Sequence, residues 1–382
     1  MKIATKKKIL VFIDWFLPGY RAGGPIRSCA NMIEHLKDEF DFSVITRDSD
    51  YCETISYPGI ISNTWNILPN GIKVFYFSSD KLNASEIKKI IEQEDFDFVY
   101  LNGIYSYPFT ILPLRILKKK NKKVVVAVRG MLAESAIAQK QFKKRVFLYF
   151  ARMMNLFGGI TFQASTEKEK EEVKKYFGVH SLVKIAPNLP RKQLVKNVLS
   201  QKKFAGKLRL VNVARISPEK NLKYALEVLR EVKGNVVFDF YGPVYNNDYW
   251  NECKKIITKL PVNIIASYKG SVDGSKIAEI LSDYQFMFMP SLGENFGHII
   301  IESFACGLPV IISDQTPWRN LEKEKAGWDI PLSEKEKFIE AVEQCAEMNQ
   351  DEYLKFSSSA KKIVSALLDD SEIIAQNKSL FV

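Results

Sequence analysis

The sequence predicts an α/β protein of two domains, and three observations carry that prediction. The chain has 382 residues, more than the ~100–200 of one ordinary domain. Short β-rich apolar runs alternate with longer amphipathic stretches, and the alternation runs through twice. Several runs are apolar without a break, such as Lys123-Val124-Val125-Val126-Ala127-Val128, as in parallel strands covered on both faces. Together these features predict two Rossmann-like domains facing a central cleft, with ligands beyond the carboxyl ends of the strands.

In the first half the strands fall near 8–14, 42–46, 72–77, 97–101, 123–128, 160–163 and 182–185. Helices fall near 25–38, 84–93, 109–119, 132–156 and 167–176. In the second half strands fall near 208–213, 235–240, 262–265, 285–288 and 309–312, with helices near 219–232, 247–259, 274–281 and 297–306. From about residue 333 the pattern is helical only. Pro187-Asn188-Leu189-Pro190 and the lysine-rich stretch after it mark a composition shift, which predicts a linker at 188–207. The expected division is an N-terminal Rossmann-like domain at 1–187, a C-terminal Rossmann-like domain at 208–365 and a helical tail at 366–382.

Hydrophobic residues make up 46% and charged residues 26% of the chain, so a large core can form and disorder is excluded. No apolar run reaches the ~18 residues of a membrane span. Lys6-Lys7-Lys8 and the run Ile9 to Ile13 imitate a signal peptide, but Asp14 cuts the run short. A buried first strand is the better reading, and it predicts a cytoplasmic protein. The five cysteines are odd in number, widely spaced and form no CxxC, which argues against a disulfide framework or zinc site. The net charge is +11. Residues 101–200 hold 20 basic and 5 acidic residues, whereas 301–382 hold 9 and 15. Two readings of the basic region stand side by side: a solvated face, or a surface for anionic lipid or a phosphate-bearing partner. No nucleic-acid-binding motif is present, so nucleic acid is not an expected partner.

The most informative segment is Ser291-Leu292-Gly293-Glu294-Asn295-Phe296-Gly297-His298, followed by Ile299-Ile300-Ile301-Glu302-Ser303-Phe304-Ala305-Cys306-Gly307-Leu308-Pro309-Val310-Ile311. It reads as strand end, glycine loop, short helix, glycine stop and strand. Gly293 and Gly297 permit close backbone approach, and a helix starting near Gly297 presents N–H groups and a positive dipole end to phosphate. Glu302 is a carboxylate in an otherwise apolar helix, either an ordinary face residue or an acceptor for sugar hydroxyls. Arg215 and Lys220 lie in Ala214-Arg215-Ile216-Ser217-Pro218-Glu219-Lys220-Asn221, after the 208–213 strand. There Ser217-Pro218 also reads as a helix start.

Two glutamates eight apart in G-E-N-F-G-x-x-x-x-E-x-x-A-x-G-x-P-V-I resemble the signature of the retaining glycosyltransferase family 4 (glycosyl transferases group 1), whose members have the GT-B fold. Arg215 and Lys220 resemble that family's R-x-x-x-x-K-N element, and the resemblance implies that they grip the donor diphosphate. It further implies a hexosyl-type transfer from a nucleotide-diphosphate sugar to a glycan or lipid-linked acceptor in cell-envelope polysaccharide synthesis, with configuration retained and no metal cofactor. Glu294 would hold sugar hydroxyls and Glu302 the ribose. Asn295, Phe296 and Gly297 would add backbone contacts, as would the glycine loop ending in Gly23-Gly24. Gly242 and Lys269 fall where relatives approach the donor. Asn102, Tyr105 and Arg21 are acceptor-side candidates. Many relatives carry a histidine where this chain has Arg129. Either Arg129 does a similar electrostatic job or the sugar is held differently. Asp48-Ser49-Asp50 and Asp95-Phe96-Asp97 are D-x-D pairs without metal-site spacing around them.

A nucleotide-sugar epimerase of the same fold and a non-catalytic donor-binding subunit remain as alternatives. Lys140-Gln141-Phe142-Lys143-Lys144-Arg145-Val146-Phe147-Leu148-Tyr149-Phe150 mixes cations with large apolar side chains. It suits an interfacial helix on the inner face of the cytoplasmic membrane, or equally a helix packed on its own sheet with lysines outward.

Overall fold

The computed structural model describes residues 6–120, 122–138, 141–192 and 202–382. The chain forms two compact units, residues 1–192 with 370–382, and residues 193–369.

The N-terminal unit carries β1 (Lys7–Phe12), β2 (Phe40–Arg47), β3 (Trp65–Ile67), β4 (Lys73–Phe77), β5 (Phe98–Asn102), β6 (Lys123–Ala127), β7 (Thr161–Ala164) and β8 (Leu182–Ile185). They form one sheet in the order β3-β4-β2-β1-β5-β6-β7-β8. All neighbours pair in parallel except β3 with β4. Leu10 and Phe12 of β1 join one apolar cluster with Val99, Val124 and Val126, while Ile9 and Val11 join another with Val44, Tyr100 and Val125. Both faces are therefore covered, which is why these strands read as unbroken apolar runs.

The C-terminal unit carries β9 (Lys207–Val213), β10 (Asn235–Tyr241), β11 (Ile264–Tyr268), β12 (Phe286–Met289), β13 (Val310–Ser313) and β14 (Gly327–Ile330). The order is β11-β10-β9-β12-β13-β14, all parallel. Leu208, Leu210, Phe238 and Phe288 pack on one face, and Val211, Met287, Met289 and Ile312 on the other.

Three sequence expectations differ from the structure. β3 and β14 are additional, one a short antiparallel edge strand and the other interrupted by Gly327 and Asp329. β11 begins at Ile264 rather than 262, because Ile264 N–H closes a turn on the Pro261 carbonyl and leaves Val262 fully exposed. The 132–156 helix is two helices, Glu134–Ala138 and Gln141–Met153, and residues 139–140 between them lie outside the described residues.

The domain boundaries also shift. Asn188 and Leu189 are buried in the N-terminal unit. Asn31 donates to the Leu189 carbonyl at 2.9 Å, and the His35 ring bonds the Pro190 carbonyl at 3.0 Å. Lys203 is buried in the C-terminal unit, where its ammonium bonds the carbonyls of Phe204, Ala346 and Met348. Those contacts consume both ends of the expected 188–207 linker, and its residues 193–201 lie outside the described residues. The tail is not a separate element. The helix Gln350–Leu368 belongs to the C-terminal unit, while the helix Ser371–Ser379 returns the chain to the N-terminal one. Phe381 is the reason: its ring lies 5.5 to 6.1 Å, centroid to centroid, from Phe40, Phe42, Phe98 and Tyr100.

Phe381→Ala should destabilise the N-terminal unit by about 3–5 kcal/mol, the cost of truncating a buried phenylalanine. Urea unfolding followed by intrinsic fluorescence checks it, and a loss under about 1 kcal/mol would contradict the packing described.

Candidate functional site

In each sheet the strand order reverses direction at one place, and adjacent loops diverge there to leave a crevice at the strand carboxyl ends. In the C-terminal unit that place lies between β9 and β12. The loop after β9 runs through Arg215 and a 3-10 turn, Pro218–Lys220. Asn221 then adopts a left-handed conformation, φ 56°, and starts the helix Leu222–Leu229. Ser217 precedes the turn without a side-chain cap bond, so the helix signal read at Ser217-Pro218 marks the turn instead.

Three bonds tie this loop to the one after β12. Asn221 donates to the Pro290 carbonyl at 3.0 Å, the Leu292 N–H donates to the Glu219 carbonyl at 2.9 Å, and the Lys220 ammonium pairs with the Glu294 carboxylate. Lys220 and Glu294 are 17% and 13% exposed at the side chain, so this pair is far less screened than a surface one. Arg215 pairs with Glu219 at 3.2 Å in its own loop. The Glu294 N–H is taken by the Gln315 carbonyl at 2.9 Å.

Gly297, φ 73°, caps the helix His298–Ala305 without a side-chain acceptor, and a Cβ there would lie 2.7 Å from Ile300 Cδ1. That helix directs its first N–H groups and positive end toward the Asn295-Phe296-Gly297 loop. Trp318 Nε1–H holds the Phe296 carbonyl at 2.8 Å, and the His298 ring stands edge-on to Phe296. Glu302 is half-buried on the same helix.

Gly242 supports the site from below. Its φ is 145°, and a Cβ there would sit 1.9 Å from the Ala214 carbonyl oxygen, directly before Arg215. Lys269 reaches the Asp239 carboxylate at 3.4 Å. Asp239 also accepts from Tyr284 Oη at 2.8 Å, and Tyr284 lies 2.9 Å from the Tyr241 hydroxyl. Burial pushes the Tyr284 phenol up, aided by its bonds to Tyr241 and Asp239. Sequence reasoning passed over this cluster; its signal was an aspartate inside Val236-Val237-Phe238-Asp239-Phe240.

In the N-terminal unit the reversal lies between β1 and β5. Gly23, φ 74°, precedes the helix Gly24–Leu36, whose start has no side-chain cap. Arg21 pairs with Glu53, and the N–H groups of Tyr20 and Arg21 bond Asp50 at 2.9 and 3.2 Å. Asp14, which follows β1, accepts from Ser106 Oγ at 2.8 Å across the crevice. Burial pushes the Asp14 carboxyl up, against the Ser106 bond and the Arg47 charge. Asp14 was read in the sequence only as the end of an apolar run, although a carboxylate ending an apolar strand was its signal.

Arg129, φ 56°, binds Asn102 Oδ1 at 2.8 Å and also the Asn188 side chain and the Tyr100 hydroxyl. Its turn is anchored by buried Glu169, which accepts from Gly130 N–H and from Ser165. Arg129 and Asn102 thus come together, but in a network that occupies the guanidinium. The Tyr105 hydroxyl donates to the Met131 carbonyl at 3.2 Å, and burial pushes it up to about 12.

The D-x-D pairs are engaged in the fold. Asp48 accepts from Ser56 and Ser62, Asp50 from the glycine-loop backbone, Asp97 from Lys8 N–H, and Asp95 pairs with Lys8. Among the described residues no group of three or more His, Cys, Asp or Glu is placed to hold a metal ion.

Gly242→Ala should cost about 2–4 kcal/mol, since the added methyl meets backbone and the φ disfavours any side chain. Thermal unfolding checks this; a variant as stable as the parent would refute the close approach to Ala214.

Residues 195–363 match the family described as Glycosyl transferases group 1. An uncharacterized glycosyltransferase of Methanocaldococcus jannaschii is 23% identical over 297 residues, 76% of this chain and 74% of that protein. WcaL of Escherichia coli K12, a putative colanic acid biosynthesis glycosyltransferase, is 21% identical over 155 residues, 39% of this chain and 38% of that protein. Among solved structures, Anabaena HepE in complex with UDP and glucose superposes with a TM-score of 0.72 at 16% identity, covering 98% of both chains. The fold is therefore GT-B, two Rossmann-like domains with parallel sheets. The matches together support a glycosyltransferase whose relatives include proteins of polysaccharide biosynthesis.

Proposed function

We propose that the chain is a retaining glycosyltransferase that moves a hexosyl group from a nucleotide-diphosphate sugar to a glycan or lipid-linked acceptor in cell-envelope polysaccharide synthesis. The carrying observation is the Lys220–Glu294 pair at the β9/β12 crevice, beside Arg215 and the start of the helix His298–Ala305. Two cations, a helix N-terminus and two carboxylates at one strand-end crevice suit a ligand with a diphosphate at its centre and hydroxyls at both ends. UDP and glucose in HepE support this donor class.

In this reading Arg215 and Lys220 hold the diphosphate and stabilise the charge that grows as the glycosidic bond breaks. Lys220 shares its ammonium between phosphate and Glu294, whose carboxylate then accepts from sugar hydroxyls. Glu302 accepts from the ribose, and backbone N–H groups of Asn295 to Gly297 meet phosphate oxygens. The leaving phosphate takes the acceptor's proton on the same face, so configuration is kept without a protein nucleophile. With two side-chain cations on the diphosphate, the reaction runs without a metal. The protein works in the cytoplasm.

One observation favours a second reading. The Arg129 guanidinium is already bound to Asn102, Tyr100 and Asn188. If it cannot leave them, the chain binds donor without transferring sugar. Donor turnover separates the readings: acceptor-dependent release of the diphosphate supports transfer, acceptor-independent conversion of the sugar supports an epimerase, and binding without either supports a non-catalytic subunit.

A thermal-shift panel of UDP, GDP, ADP, dTDP and CMP should show one diphosphate stabilising the chain with chelator present. The gain should approach about 2.7 kcal/mol at a hundredfold excess over Kd. Glu302→Ala should weaken that diphosphate at least about tenfold, the loss of a charge-assisted hydrogen bond. Unchanged affinity in that variant would overturn the ribose assignment.

A further inference from the structure

The helix Gln141–Met153 presents apolar side chains on two faces. On the inner face Leu148 and Ala151 are buried in the core of the N-terminal unit, and Phe147 stands edge-on to Tyr105 with ring centroids 5.4 Å apart. Lys144, on the same side, lies 5.3 Å over the Tyr105 ring and donates to the Ala136 carbonyl. These contacts fix the helix to the fold.

On the outer face Phe142, Val146, Tyr149, Phe150 and Met153 follow i, i+4, i+7, i+8 and i+11, which places them in one stripe. They are 81%, 38%, 67%, 48% and 61% exposed, and Met154 continues the stripe at 65%. Tyr149 and Phe150 meet each other edge-on at 5.6 Å rather than the core. A single exposed apolar side chain is ordinary, but a contiguous row of six is the mark of a contact surface. The helix is thus packed on its own unit through one face, as one sequence reading has it, and carries a second apolar face outward.

The surroundings of the stripe are cationic. Arg145 and Arg152 border it on one side and Lys143 on the other, all three exposed. Lys118 bonds the Asn155 carbonyl just past the helix end, which brings the exposed run Lys118-Lys119-Lys120 beside the stripe. No acidic residue occurs between Glu134 and Glu167. Among the described residues no helix is long and apolar enough to cross a membrane.

We propose that this face docks the chain on an anionic lipid bilayer, with the helix lying in the plane of the interface. Phe142, Phe150, Met153 and Met154 enter the headgroup–acyl boundary, and Tyr149 sits at the level where its hydroxyl stays wet. Arg145, Arg152 and the lysines meet headgroup phosphates, their stems lying along the apolar stripe. Charge chooses the occupant: a row of rings and methionines flanked along its own helix by Arg145, Arg152 and Lys143 complements an apolar layer capped by anions. The inner face stays packed throughout, so docking requires no rearrangement. The proposal is independent of the donor site.

The test is co-sedimentation of the full chain with phosphatidylcholine vesicles, with and without about 30% phosphatidylglycerol. Binding should appear with the anionic lipid and weaken as salt is raised. A Phe142→Ser, Tyr149→Ser, Phe150→Ser variant should lose at least about tenfold in vesicle partition. Arg145→Gln and Arg152→Gln should each lose about fivefold. Melting temperatures of all variants should match the parent, because these side chains pack on no core. Binding that ignores anionic lipid content, or survives the stripe variant, would overturn the proposal. So would concentration-dependent dimers, formed without vesicles and abolished by the same variant, since a second copy would then cover the face.

Discussion

The C-terminal site depends on the junction between the loops that leave β9 and β12. At a strand-order reversal those loops run apart, and nothing in the sheet holds their ends together. Here Asn221, the Glu219 carbonyl and the Lys220–Glu294 pair bind them side by side. The other features of the site adjoin that junction. Arg215 is placed because Glu219 belongs to the joined loop. The Gly297 turn starts the short helix where Glu294 has already been fixed. Gly242 lets the neighbouring chain pass beneath Ala214 without pushing the loop outward.

The pair also has a chemical consequence. A lysine and a glutamate paired out of bulk water hold each other's side chains in place before any ligand arrives. Most of the ordering cost is then met in folding rather than in binding. The N-terminal unit uses the same device at its own reversal, where Ser106 reaches Asp14, and more fully in the Arg129 network. There the charge is consumed internally: Arg129, with φ 56° and three side-chain acceptors, is held far more firmly than a surface arginine.

Much of this was legible in the sequence. Strands buried on both faces, such as β6, announce themselves because Val124 to Ala127 are all apolar, and Gly-x-Pro after Phe304 marked the helix end. The Glu294 and Lys220 positions were readable because their motifs carry glycines and a proline at set distances. What stayed hidden was long-range. Nothing local shows that Lys220 and Glu294, 74 residues apart, meet. Nothing local shows that Phe381 belongs to a core begun by β1, or that Pro187 to Pro190 is packed rather than free. Glu169 and Asp239 went unread, and Asp14 was read only as the end of an apolar run, for the same reason, since a lone carboxylate acquires meaning only from its partners. The short edge strand β3 and the glycine-bearing β14 lack the apolar runs on which strand reading depends. The helix Gln141–Met153 was ambiguous because its cations and rings interleave, and only the packing of Phe147 and Leu148 decides which face looks outward.

Amide hydrogen exchange with and without the best-binding nucleoside diphosphate tests the central claim most directly. The account predicts slowed exchange confined to two segments, Arg215 to Asn221 and Gly293 to Ile299, with the Lys220→Met variant losing protection in both. Protection that appears in neither segment, or in only one of them, would contradict a single diphosphate site built on the joined loops.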